Sequence, residues 1–367
     1  MGKYELSLTA NYVPDWTIVE ATREFFQNAI DQANTEPDND MFYDYDEEAQ
    51  ILSIGNKRSM LTARTLLLGA TTKADDDKTI GKFGEGYKIA TLVAIREGHN
   101  VVFYNYGAKE VWRPRFVKSR RYKENILTFF TESFTWSKPP NHDLTITIDN
   151  VTPENYKHIV DSNLIMHDDL GKTHETDLGT ILCDEKYQGK VYVNGLYVGT
   201  HDYMHCGYNL NADQVKLDRD RRLIDSFDLK WQSARMWIKC ESDEIIALAN
   251  ENAPDVEYVG SLSAYLTTTV TEQAHSAFRE EHGDNAVPVC NQREMVAITE
   301  EYVDVKPVIV SETQHRLVTS APTYKVDAEQ KEVITTKVRL NAWFDSIRHK
   351  LTDEEAMEFY DISSELE

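Results

Sequence analysis

The stretch WTIVEATREFFQNAIDQAN, residues 16–34, decides how the first part of this chain folds. Apolar side chains recur there near helical spacing, and neither Pro nor Gly interrupts them, so the stretch predicts an amphipathic helix. Glu24, Asn28 and Asp31 follow one another at spacings of four and three and therefore project from one helix face. A carboxylate one turn from a carboxamide suits a metal–nucleotide site, because the first can deprotonate a water and the second can ligate Mg²⁺. Taken alone, the pattern favours a solvated helix face.

A second stretch, IGKFGEGYK at residues 80–88, also contains residue types that can form a binding site. It places three glycines directly before a predicted helix, IATLVAIREG: Gly81, Gly84 and Gly86. Glycines let a backbone turn tightly and direct its N–H groups, together with a helix N-terminus, at an anion such as a triphosphate. Lys82 and Lys88 add positive charge. A glycine triplet by itself is more often a structural turn.

The segments around these two stretches predict the fold class. Strands are predicted in MFYDYD, ILSIG, NVVFYNYG, VWRPRFV, ILTFFTESF and LTITIDNV, and a helix is predicted from Leu61 to Gly69. This order implies an α+β sandwich with helices on one face of a sheet. We predict three domains: residues 1–150, residues 151–250 with strands and a long helix (LKWQSARMWIKCESDEIIALAN), and residues 251–367, an α/β unit with an acidic helical tail.

The composition limits the classes of function. The 367 residues have a net charge of −23, which disfavours extensive nucleic-acid binding, although the segment WRPRFVKSRRYK is locally basic. No apolar run is long enough to cross a bilayer, so no membrane partner is expected. Four scattered cysteines without a CxxC pair fit a reducing compartment and predict a cytoplasmic protein. The cluster His201, His205 and Cys206 favours a structural role over metal binding.

The order of the two stretches resembles a known family. In chain order there are ExxxNAxxD on the first helix, a strand and turn, LLLGATTK, and GxFGxGxK at the start of another helix. This arrangement is similar to that of the GHKL (Bergerat-fold) ATPases over roughly residues 15–150. Type II topoisomerase ATPase subunits, heat-shock ATPase chaperones, MutL-type repair proteins and MORC-like ATPases belong to this superfamily. The resemblance implies a Bergerat-type sandwich followed by a transducer-like α/β domain and a small C-terminal α/β unit.

The resemblance also implies roles for individual residues. Glu24 matches the general base, Asn28 the magnesium ligand, and Asp31 the acidic residue one turn further on. The positions that match the lid and the residues around the phosphates are Thr72, Lys73, Gly81, Lys82, Phe83, Gly84, Glu85, Gly86, Tyr87 and Lys88. Thr145 matches the late-strand threonine near adenine, although the glycine that usually precedes it is Leu144 here.

One motif departs from the family. The DxGxG turn, whose Asp accepts a hydrogen bond from the adenine amino group, should fall in ILSIGNKRSM. If Met60 takes the place of the apolar residue after that motif, Gly55 stands where the Asp belongs, and the alternative register puts Ser53 there. Loss of a buried hydrogen bond to the base would cost on the order of 1–3 kcal/mol. The groups that remain to read the base are Asp31, Asn56, Thr145 and water.

The function that the resemblance implies is Mg²⁺-dependent ATP binding and slow hydrolysis, with lid closure coupled to the downstream domains through a protein partner or a homodimer. In transducer-type relatives a basic side chain reaches the γ-phosphate. Arg219, Arg221 or Arg222 is the candidate for that role here, with a solvated loop as the alternative. The missing Asp keeps a second function open, a nucleotide-gated or nucleotide-free protein-binding module without turnover.

Overall fold

The computed structural model describes residues 2–35, 37–66, 86–135, 137, 142–215, 225–331 and 336–364. The chain divides into two compact units, Met1–Cys240 with Ala253–Tyr258, and Glu241–Asn252 with Val259–Glu367. The predicted regions 1–150 and 151–250 thus both fall largely in the first unit, where each forms its own sheet. Among the described residues, no helix has the length and apolar character needed to cross a membrane.

The first sheet has seven strands, and every neighbouring pair is antiparallel. In spatial order they are β1 (Gly2–Thr9), β6 (Asn125–Ser133), β5 (Glu110–Lys118), β4 (Val101–Asn105), β7 (Leu144–Ile148), β3 (Ile51–Asn56) and β2 (Met41–Asp46). The strands predicted in this region are therefore present. β1 is an addition, although the alternating side chains of GKYELSLT, with Leu6 and Leu8 buried, are the usual signal of a half-buried strand.

Helices α1 (Ile18–Thr35), α2 (Gly86–Arg96) and α3 (Pro153–Asp161) pack with this sheet around one apolar core. The ring of Phe25 on α1 lies 6.3 Å from that of Phe103 on β4, and Phe26 lies 5.7 Å from Tyr43 on β2. α1 is amphipathic as predicted, because its apolar stripe packs on the sheet. The predicted α+β class is confirmed.

A second sheet follows in the first unit, in the order β11 (Leu196–Thr200), β10 (Lys190–Val193), β12 (Gly207–Leu210), β9 (Gly179–Leu182) and β8 (Thr173–Thr176). Helix α4 (Ser226–Cys240) contacts β8 and β9. The predicted long helix of residues 229–250 ends at Cys240, and a separate helix, α5 (Glu244–Asn250), begins after it. Glu241 between them has a φ of 51°, a left-handed backbone that a continuous α-helix does not allow.

The second unit contains α5, α6 (Thr268–His282), α7 (Gln292–Glu301), α8 (Glu312–Thr319), α9 (Thr336–Ile347), α10 (Asp353–Ser364), and two strands, β13 (Ala286–Val289) and β14 (Lys306–Ile309). The strands are parallel, and each leads almost directly into a helix, β13 into α7 and β14 into α8. Of the helix predicted from Leu61, the structure describes a 3₁₀ turn at Ala63–Leu66, and the remainder lies outside the described residues.

Arg96, at the end of α2, holds the chain that leads into α1. Its guanidinium donates to the carbonyl oxygens of Ala10 (3.3 Å), Tyr12 (3.1 Å), Val13 (3.1 Å) and Trp16. A lysine ammonium cannot reproduce this planar fork. We therefore expect Arg96→Lys to lower the free energy of unfolding by about 2 kcal/mol, measured by urea unfolding. Arg113→Lys, which alters a half-exposed ion pair with Glu132, is the control and should leave the urea midpoint nearly unchanged.

Candidate functional site: the face of α1 beside the start of α2

Two of the predicted motifs lie side by side in the structure. A β-carbon built on Gly86, the first residue of α2, would lie 2.5 Å from Glu24 Oε2 and 3.4 Å from Asn28 Nδ2. The N-terminus of an eleven-residue helix therefore lies against the polar face of α1. Unsatisfied N–H groups and the helix dipole make such an end attractive to an anion. A β-carbon at position 86 would therefore require the end of the Glu24 side chain to move.

Glu24 is buried, with 1% of its surface exposed, although it is a carboxylate. Its Oε1 lies 3.7 Å from the guanidinium of Arg23. Arg23 lies against the Trp16 ring, 5.6 Å from its centroid, and donates to the carbonyl oxygen of Tyr197 on β11 at 3.4 Å. The guanidinium beside Glu24 is thus held by the Trp16 ring, just before α1, and by a backbone carbonyl of the second sheet.

Asn28 uses one end of its amide within α1. Its Nδ2 donates to the Glu24 carbonyl oxygen at 2.6 Å, so Oδ1 is the atom that it can offer to a cation. Asp31, one turn further along, is fully buried. The three residues predicted on one helix face are therefore arranged along one side of α1, with Gly86 opposite the first two.

Asn56 is the last residue of β3. The motif alignment placed Gly55 or Ser53, and not Asn56, at the position of the family's Asp. Asn56 is buried, and its Nδ2 donates to the carbonyl oxygen of Ala29 on α1 at 2.9 Å. Leu52, Ile54 and Asn56 alternate along β3, and the first two belong to the core under α1. Asn56 is thus the last β3 side chain on the helix-covered face.

Gly55 and Thr145 lie on the opposite face of the sheet from Asn56 and α1. They are cross-strand partners between β3 and β7, and their neighbours Ile54 and Ile146 are the residues in the core under α1. A β-carbon on Gly55 would lie 2.2 Å from the Leu144 carbonyl oxygen and 2.5 Å from the Phe42 ring, so no carboxylate fits there. The structure does not bring these two predicted residues together with Glu24. Ser53, in the alternative register, shares their face.

Tyr87 ties the start of α2 to the chain after β3. Its hydroxyl donates to the Thr65 carbonyl oxygen at 2.7 Å, and burial raises the pKa of this hydroxyl, which keeps it protonated as a donor. Asn105 on β4 holds the same stretch through both backbone groups of Leu61 (3.2 and 2.8 Å). Lys88, next along α2, is fully buried, with its Nζ 5.6 Å from the Tyr87 ring centroid.

Met60 lies apart from the group around Glu24. It is exposed and lines a polar cavity of about 800 Å³, together with Asp38, Asp40, Lys57, Arg58, Ser59, Gly107 and Asp143. Lys57 and Arg58 are paired there with Asp40 and Asp38. The cavity is not lined by Glu24 or Asn28. The predicted residues outside the described part of the chain are Thr72, Lys73, Gly81, Lys82, Phe83, Gly84, Glu85, Arg219, Arg221 and Arg222.

Sequence reasoning missed Gln27. This side chain on α1 is 1% exposed, and within the described residues its Nε2 has no hydrogen-bond partner. A buried polar atom without a partner is costly, and an ordered water or ion is one of the ways in which it is satisfied. Gln27 directly precedes Asn28, and in the sequence it is one more polar residue of a predicted amphipathic helix. Its burial is set by packing, which the sequence pattern does not report.

The cluster predicted from HDYMHC, His201, His205 and Cys206, makes the following contacts. The Nδ1 of His201 lies 2.9 Å from the Tyr203 hydroxyl, and the backbone N–H groups of His205 and Cys206 donate to the buried Asp255 carboxylate (2.8 and 3.1 Å).

Comparison with known proteins adds one relative. A protein of Mycoplasma pneumoniae (strain ATCC 29342 / M129 / Subtype 1), described as an uncharacterized protein, is 23% identical over 209 residues, which make up 56% of this chain and 83% of the relative. None of the protein-family models matches the chain.

Proposed function

We propose that the first unit binds Mg²⁺-ATP between α1, the start of α2 and the end of β3, and hydrolyses it slowly as a GHKL-type ATPase. The main support is the contact of Gly86 with Glu24 and Asn28. Two motifs about sixty residues apart, each weak alone, meet in one place. An anion-binding helix end, a buried carboxylate and a carboxamide oxygen are the groups that phosphoryl transfer to water requires.

Each group has a defined role in this proposal. Glu24 orients and deprotonates the attacking water, with the Arg23 guanidinium 3.7 Å from its Oε1. Asn28 Oδ1 holds the magnesium ion, and the N–H groups at the start of α2 face the phosphates. Bound Mg²⁺ would neutralise charge on the phosphate oxygens. The fit of the site rests on Gly86, where any β-carbon would fill the space beside the carboxylate.

The base is read through Asn56 in this proposal. Asn56 occupies the helix-facing end of β3, with its Nδ2 held by the Ala29 carbonyl oxygen, so Oδ1 is its acceptor for an adenine amino group. A neutral amide is a weaker acceptor than the family's carboxylate. We therefore infer weaker base discrimination than in relatives with the Asp.

Nucleotide binding by the full chain tests the proposal. We expect calorimetric titration to detect ATP binding that is stronger with Mg²⁺ than with a chelator. Asn28→Ala should weaken binding about tenfold, or about 1.4 kcal/mol, with Mg²⁺ present and little without it. The matched control is Asn34→Ala, an exposed asparagine of the same helix. If the wild-type chain binds no nucleotide under either condition, the protein-binding module without turnover replaces this proposal.

A further inference from the structure

The second unit brings three metal-ligating side chains together at the carboxyl ends of its two parallel strands. Cys290 follows β13 directly, Glu294 lies in the first turn of α7, and His315 lies on α8, which follows β14. One ligand atom from each, a thiol sulfur, a carboxylate oxygen and an imidazole nitrogen, lies within 4.8 Å of the other two. In α/β units this edge of the sheet is where ligands bind, because the loops there surround a crevice.

The Glu294 side chain is held in place by the residues at the start of α7. Asn291 caps α7, and its Oδ1 accepts from the N–H groups of Arg293 (3.0 Å) and Glu294 (3.1 Å). Glu294 forms a variant of the capping box, in which Oε2 accepts from the N–H of Cys290, the residue before the cap, at 2.7 Å, and Oε1 accepts from Asn291 Nδ2 at 2.9 Å. The carboxylate is thus fixed beside Cys290 before any ligand binds.

Cys290 also lines a polar cavity of about 580 Å³. The other lining residues are Asn250, Asn252, Ile309, Val310, Ser311, Glu312 and Gln314. Several of these bear side-chain oxygens, and the cavity gives a small molecule or water access to the thiol.

We propose that Cys290, Glu294 and His315 bind a divalent transition-metal ion of the Zn²⁺ type, with the fourth position open to this cavity. Mixed sulfur, nitrogen and oxygen donors suit a borderline-soft ion and exclude Mg²⁺ or Ca²⁺ as the natural occupant. Three protein ligands with one open position are the arrangement of reactive zinc sites. Zn–N and Zn–S bonds of about 2.0–2.3 Å require the ligand atoms to approach one another by up to about 1.5 Å. This site is independent of the function proposed for the first unit.

Cobalt(II) is the probe, because a thiolate bound to it gives a charge-transfer absorption that carboxylates and imidazoles do not. The metal-stripped full chain is titrated with Co²⁺ and then with Zn²⁺. We expect one ion per chain, the thiolate band, and its loss on addition of Zn²⁺. Cys290→Ser should abolish the band, and His315→Gln should weaken Co²⁺ binding at least tenfold.

Two further variants separate ligation from folding. Glu294→Gln keeps an acceptor for the capping box and removes the charge, so it should leave the circular dichroism spectrum unchanged and weaken Co²⁺ binding roughly tenfold. Cys240→Ser alters a cysteine that does not line this cavity and should retain the band. Absence of the band in the wild type, or its persistence in Cys290→Ser, overturns the proposal.

Discussion

Glu24→Gln is expected to abolish ATP turnover while nucleotide binding changes by no more than a few-fold. Gln keeps the size of the side chain beside Gly86 but cannot accept a proton from water. General-base catalysis typically contributes a factor of about 10²–10⁴, and we expect a loss of turnover in this range. Phosphate release measured over hours in excess Mg²⁺-ATP, together with ATP titration of the same samples, gives both quantities.

Glu20→Gln is the matched control for this experiment. Glu20 lies one turn earlier on α1, and its Oε2 accepts from the Thr17 N–H at 2.8 Å in a capping box, a role that Gln also fills. Its turnover should equal that of the wild type. Turnover by Glu24→Gln at the wild-type rate would remove Glu24 from the mechanism. A wild type that binds ATP but releases no phosphate would indicate a nucleotide-gated binding module.

Asp255→Ala is expected to cause the largest loss of stability in the first unit. Asp255 is fully buried and accepts from the His205 N–H (2.8 Å), the Cys206 N–H (3.1 Å) and the Tyr208 hydroxyl (2.5 Å). Burial and the Asp255 charge raise the pKa of Tyr208, so its hydroxyl stays a donor. Alanine leaves these buried donors without their acceptor. A buried donor left without an acceptor costs on the order of 1–3 kcal/mol, so we expect a loss of several kcal/mol.

Urea unfolding followed by tryptophan fluorescence measures this loss, because Trp237 Nε1 donates to the Tyr208 hydroxyl at 3.0 Å within the same network. Asp255→Asn retains one acceptor oxygen and should lose less. Asp202→Ala, an exposed aspartate, is the control and should unfold near the wild-type midpoint. If Asp255→Ala unfolds at the same urea concentration as this control, the network does not stabilise the unit.

Much of the fold near the site could be predicted from local patterns. The residues within α1, α2 and each of the strands β2 to β7 show the periodicity of a helix or a strand. Helical spacing alone places Glu24 and Asn28 on the same face of α1. The break at Glu241 was not predicted because no Pro or Gly marks it, although the polar run ESDE at residues 241–244 interrupts the apolar pattern there. β1 shows the alternation of a strand, but its pairing with β6, more than a hundred residues away, could not be predicted from that local pattern.

The residues at the end of β3 show a second limit of prediction from the sequence. A motif alignment compares letters in order and placed Gly55 or Ser53 at the missing Asp. Which side chain faces α1 depends on strand alternation relative to the core, and that face belongs to Asn56. A shift of one residue moves a side chain to the opposite face of the sheet, so the base-reading residue could be identified only once the pairing of β3 with β7 was known.

The sequence by itself determined the α+β class, the polar face of α1 and the glycine-rich entry to α2, because these depend on residues within a few positions of one another. Only the tertiary structure decided that Gly86 lies against Glu24, that Thr145 faces away from it, and that Cys290 and His315 meet. These contacts join segments distant in the chain. They depend on strand order and packing, which are set by the burial of the whole core and not by any local pattern.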